Sequence, residues 1–320
     1  MEENTWYDAF LEAIREKFPK KAQLTQEIMD LLCLEREAVY RRLRKDVVFP
    51  AQEVVKIAST WNISLDEILG LNTGNIVFGM QPLNYLDPSK KEFLNMQQRV
   101  KNLDHLHTSY ESEYMEISNK IPRPLIIGFL NLYRFRIFNW ASQYNNNKPY
   151  KEFAQITIPE NILVEFKRYK KNIMQVKNTH YIFDHGMFDY MVHCIKYFHS
   201  ILLITNEEKE LLQKELYELL DYLMLIANKG YYPETHNKVT MYISQLTIDT
   251  NYSYFYTDKL KVCRVHAFGK FDISSYDLDM VSNFRTWMNL KKKSSIQISE
   301  VNEKKRIEYF NMQRELVDSL

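Results

Sequence analysis

Within Leu24–Leu69 one short stretch, Arg36 to Lys45, carries five basic residues and a single acid, Glu37. The surrounding segment 1–74 holds ten Lys/Arg against thirteen Asp/Glu, so a basic run of net +4 sits inside a segment of net −3. Helical spacing turns Val39 and Leu43 inward and Arg36, Glu37, Tyr40, Arg41 and Arg44 outward. A rigid helix with guanidinium forks on its solvent side has the charge and shape of an element that enters a groove of DNA.

The flanks fit the same reading. Thr25 to Leu32 has Ile28, Leu31 and Leu32 at helical spacing, with Thr25 as the expected N-cap. Cys33-Leu34-Glu35 is long enough for one sharp turn between two helices. Phe10, Ile14 and Phe18 supply an earlier helix, and Val54, Val55, Ile57, Ala58 and Trp61 a later one. Ser64-x-x-Glu67 opens a last short helix as a capping box. About seventy residues accommodate such a bundle.

The runs "LTQEIMDLLCLEREAVYRRLR" and "FPAQEVVKIASTWNISLDEILG" resemble the lambda-repressor-like helix-turn-helix of the Xre group, and most of all the bacterial BetR-type regulators. The resemblance covers under a quarter of the chain. It implies a five-helix DNA-binding domain over 1–74, with the helix 35–45 in the major groove and the helix 25–32 crossing the backbone. Carried over by position, Arg36, Glu37, Tyr40 and Arg41 face base edges, while Thr25, Gln26, Arg42, Arg44 and Lys45 face phosphates. The sequence departs from the family twice: Cys33 and Lys45 stand where glycine is usual, at positions that favour a left-handed backbone.

Composition excludes other classes. Seven glycines in 320 residues leave no G-x-G-x-x-G and no G-x-x-x-x-G-K-[ST], and G-x-S-x-G is also absent. The global net charge is +1, so only the local patch argues for nucleic acid. Three distant cysteines fit free thiols in a reducing cytoplasm. The acidic start, Met-Glu-Glu-Asn, is unlike a signal peptide, and Leu125–Leu132 is too short to span a bilayer, so a soluble cytoplasmic protein without a membrane partner is expected.

Residues 75–89, with Gly79, Pro82 and Pro88, read as a linker, and 90–320 as an α-rich dimerisation or sensor domain. Phe93, Val100, His107 and Tyr114 are seven apart; Met96, Leu103, Tyr110 and Ile117 fill the second position of the repeat. That spacing predicts a long helix over 90–119 whose seam, Phe93, Met96, Val100, Leu103 and Tyr110, joins two copies into a homodimer. The same stripe also suits a helix packed on its own domain. Helices are expected over 124–141, from Glu160 to about Met174, after Phe183, from Thr205 to Lys229, over 276–290 and over 303–317. Val239–Ile248, Tyr252–Tyr256 and Leu260–Phe268 predict a small three-stranded antiparallel meander. The fold class expected is therefore mainly α.

His185, Asp189 and His193 share a helical face at metal-like spacing, but that face lies opposite the apolar stripe, where polar residues belong. We expect no metal, no cofactor and no catalytic residue. The aromatic stretches Leu125–Trp140 and Tyr252–Tyr256 are core or the wall of an effector pocket, the effector being a small molecule or a protein. The leading expectation is a dimeric regulator that binds double-stranded DNA. The alternatives are a protein-interaction adaptor that no longer reads DNA and an enzyme built on the histidine face.

Overall fold

The computed structural model describes residues 5–61, 63–68, 78–80, 88–104, 106, 111–143, 151–267 and 271–320. The chain divides into two units, 1–76 and 77–320.

The first unit has helices α1 (Thr5–Lys17), α2 (Lys21–Leu32), α3 (Arg36–Leu43), α4 (Ala51–Trp61) and α5 (Leu65–Ile68). One apolar residue from each turn meets in a common core of Phe10, Ile14, Leu24, Ile28, Val39, Leu43, Phe49 and Ile57. Tyr7 closes it with polar contacts: its hydroxyl accepts from the Phe49 N–H at 3.1 Å and donates to the Arg42 carbonyl at 3.2 Å.

The second unit corrects the expectation of a mainly helical fold. Its centre is an eight-stranded mixed sheet built from β1 (Gly79–Met80), β2 (Ser112–Ser118), β3 (Asn178–Phe183), β4 (Lys238–Ile243), β5 (Tyr252–Thr257), β6 (Lys261–Ala267), β7 (Phe271–Ser275) and β8 (Ile296–Gln297). The order is β1-β7-β6-β5-β2-β3-β4-β8, with β2, β3 and β4 parallel and the other pairs antiparallel. Parallel pairs need helical crossovers. These are α7 (Arg123–Ile126), α8 (Leu130–Gln143) and α9 (Glu160–Ile173) between β2 and β3, then α10 (Asp189–Ser200) and α11 (Asn206–Lys229) between β3 and β4. The remaining helices are α6 (Pro88–Leu103), α12 (Leu278–Lys293) and α13 (Glu303–Asp318).

Side chains alternate across the sheet as the strand period requires. Tyr114, Tyr181, Phe183, Met241 and Phe255 join the main core under α6, α8, α9, α11 and α13; Met115, Ile117, Ile182, Tyr254 and Cys263 join a second core with Phe284 and Met288 of α12. The capping box at Thr205–Glu208 and the left-handed Gly230 bound α11 as the sequence indicates.

Three expectations fail here. The 90–119 helix stops at Leu103, and Tyr114 and Ile117 belong to β2. Met96, Val100 and Leu103 are buried within their own unit, where α6 packs on α9, so they are not a seam between copies. Of the other proposed seam positions, Tyr110 and the Phe93 side chain lie outside the described residues. The linker 75–89 contributes a strand, since β1 pairs with β7. The antiparallel meander is β5-β6-β7; β4 lies on the far side of β2 and β3.

Candidate nucleic-acid interface

α2 and α3 are joined by Cys33-Leu34-Glu35, and Cys33 adopts the left-handed conformation (φ 53°, ψ 45°), its N–H closing on the Met29 carbonyl. Lys45, just past α3, is also left-handed (φ 70°). Both residues thus take a backbone that glycine would adopt without the roughly 1–2 kcal/mol cost a Cβ incurs. α3 follows, held by buried Val39 and Leu43, with no side-chain cap at Glu35.

The surface of α3 sorts the sequence candidates into three groups. Arg36, Glu37 and Arg41 are exposed and Tyr40 is half-exposed, so the four positions carried over for base edges stand outward on one short helix. Gln26 on α2 is exposed and donates to Asp30 at 2.9 Å. Arg44 pairs with Glu37 at 3.1 Å and Asp46 at 3.3 Å, and Lys45 with Asp8. These pairs are exposed, and an exposed pair contributes at most about 1 kcal/mol, so a phosphate can compete for either cation.

Two phosphate candidates are corrected. Thr25 lies inside α2, 1% exposed, and its hydroxyl donates to the Lys21 carbonyl at 2.8 Å; it is neither an N-cap nor a surface donor. Arg42 is engaged internally. Its guanidinium donates to both Glu53 oxygens at 2.8 and 3.0 Å and to the Ala38 carbonyl at 3.2 Å, and it lies 5.7 Å from the Phe49 ring centre. With the two side chains only 15% and 20% exposed, this fork ties α3 to α4. We expect Arg42→Ala to destabilise the first unit by about 2 kcal/mol, the range for a charge-assisted bond lost from a half-buried site. Hydrogen exchange at the α3 and α4 amides of the full chain measures it; unchanged protection would show the fork to be incidental.

Elsewhere, His185 precedes α10 instead of sharing its face with Asp189 and His193. Among the described residues no group of three or more His, Cys, Asp or Glu side chains is placed to hold a metal. Nor is any helix among them long and apolar enough to cross a membrane. Sequence reasoning missed the Arg42–Glu53 fork. An acid eleven residues after an arginine gives no signal until α3 and α4 are packed together. No family model, no curated protein and no solved structure matches this chain.

Proposed function

We propose that the chain is a sequence-specific transcription regulator whose first unit is a helix-turn-helix module of the Xre type, with α3 seated in the major groove of double-stranded DNA. The observation that carries this reading is the outward placement of Arg36, Tyr40 and Arg41 on α3, directly after the left-handed turn at Cys33. Arginine forks on that face suit guanine edges, and Gln26, Arg44 and Lys45 flank them as phosphate contacts. Recognition of two half-sites calls for a dimer. With the α6 seam buried in its own unit, the pairing surface of that dimer lies elsewhere. The reading involves no catalysis and no cofactor.

The test is selection from random duplexes with the full chain, followed by titration of the selected site at several salt concentrations. Arg41→Ala is expected to weaken that site about ten- to hundred-fold, corresponding to about 1–3 kcal/mol for one bidentate base contact, and to relax preference at one position. Unchanged affinity and unchanged preference would remove Arg41 from the interface.

The adaptor reading draws on a specific observation as well: Arg44 and Lys45 are matched by Glu37, Asp46 and Asp8, which lowers the net charge of the face. A selection that enriches no sequence at low or moderate salt would favour it.

A further inference from the structure

In the second unit, two small connected chambers lie between the sheet and its helices, around the C-terminal end of β2. This is where the parallel run β2-β3-β4 gives way to antiparallel β5. In open α/β sheets, ligands enter at the carboxyl ends of strands where the strand order reverses. The first chamber has a volume of about 30 Å³ and is polar; the second, about 40 Å³, is walled by Phe135, Trp140, Met187 and Met191. Each holds only a few water-sized groups. Arg136, Asn251 and His266 border both, so one molecule can occupy the two together.

Charge is distributed unevenly between them. The polar chamber is lined by four arginines, Arg99, Arg123, Arg136 and Arg264, against two acids, Glu116 and Asp272. Arg99 and Arg123 both reach Asp272, at 2.7 and 3.2 Å, and His266 Nδ1 lies 3.1 Å from its other oxygen. One carboxylate therefore answers two guanidinium groups, and the lining stays positive by two charges with both acids ionised. Arg264 is half-buried, its guanidinium 5.3 Å from the Phe255 ring centre. Positive charge at this depth favours an anion. The neighbouring wall of two aromatic rings and two adaptable thioethers favours a flat apolar body.

We propose that these chambers form a binding site for a small organic monocarboxylate with a flat apolar body, the carboxylate lying among Arg123, Arg136 and Arg264 and the body against Trp140 and Met191. The site is independent of the DNA reading and stands or falls apart from it. The probe is benzoate, titrated calorimetrically into the full chain beside acetate, which lacks the body, and benzamide, which lacks the charge.

Benzoate should saturate one site, with acetate and benzamide at least tenfold weaker. Arg264→Gln should weaken benzoate at least tenfold and leave benzamide unchanged. Equal binding of benzamide and benzoate, benzoate affinity unchanged in Arg264→Gln, or no saturable benzoate binding would each overturn the assignment. Should Arg264→Gln fail to fold, hydrogen exchange on the unaltered chain decides. Benzoate-dependent protection confined to α8, α10 and the end of β6 supports the site; protection elsewhere, or none, overturns it.

Discussion

Asp272→Ala should cost the second unit about 3–5 kcal/mol, the usual consequence of stranding a buried charge by removing its partner. The carboxyl lies on β7 and binds Arg99 of α6 and Arg123 of α7, so one side chain fastens two helices to the antiparallel half of the sheet. Its side chain is 14% exposed and those of the arginines 21% and 12%, so water screens the contacts little. Burial alone would raise the Asp272 carboxyl. Arg123 and Arg99, with the His266 hydrogen bond, outweigh it and hold the group well below the carboxylate range. A lowered folded-state value means stability that is present above the unfolded value of 3.8 and fades as pH falls below it. The loss in Asp272→Ala is therefore largest at neutral pH and shrinks in acid. Hydrogen exchange of the β6 and β7 amides in the full chain reads the opening free energy directly. A change under about 1 kcal/mol at pH 7 would mean that both guanidinium groups find water once the acid is gone. Removing Arg123 together with the acid should recover part of the loss.

The helical parts of this fold were legible because caps and stripes are local. Thr205, Glu208 and Gly230 announce both ends of α11, and the apolar spacing of α9, α12 and α13 survives folding with small shifts. The central parallel strands were not. β2 has Tyr114 facing one core and Met115 and Ile117 facing the other, so its apolar residues form a near-continuous run instead of alternating with polar ones. Such a run cannot be told from a buried helix by periodicity, and the heptad spacing through Tyr114 and Ile117 was continued across a real helix end at Leu103. The meander failed on topology. Neighbouring strands in sequence usually pair, but the segment after β4 is carried across the ends of β3 and β2, where Asp184 accepts the Ile248 N–H at 2.7 Å and Asn119 donates to the Ile248 carbonyl at 3.0 Å.

The two candidate sites differ in legibility for the same reason. The α3 surface is one contiguous stretch, so charge counting finds Arg36 and Arg41 directly. Arg42 shows the limit: helical spacing left it beside the outward residues, and only the position of Glu53 on α4 decides that it serves the bundle. The chamber residues Arg99, Glu116, Arg123, Arg264 and Asp272 come from five elements with no fixed spacing, and the order β7-β6-β5-β2 is what gathers them.

At pH 8, Glu116→Gln should stabilise the second unit by about 1–3 kcal/mol, with no gain near pH 4.5. Glu116 is 6% exposed on β2. Tyr114 donates to one of its oxygens and Asn251 to the other at 3.3 Å. Burial pushes its carboxyl up to about 7, against the lowering effects of the Tyr114 hydroxyl, Arg123 and Arg136, while Asp272 adds to the rise. Tyr169, Arg99, Arg264 and His266 complete the titratable and charged groups around it. An acid whose folded-state value exceeds its unfolded one takes up a proton on folding between the two, here between about 4.5 and 7. Stability accordingly declines as pH rises through that window, and the full cost is present above it. Glutamine keeps an acceptor for Asn251 and offers its amide to the Tyr114 oxygen, without a charge to bury. Exchange of the β2 amides, Tyr114–Ser118, measured in the full chain from pH 5 to 8, separates the outcomes. A gain over the unaltered protein that grows with pH supports a carboxyl kept neutral by burial. A difference independent of pH would show Glu116 ionised throughout, with Arg123 and Arg136 outweighing the cost of burying it.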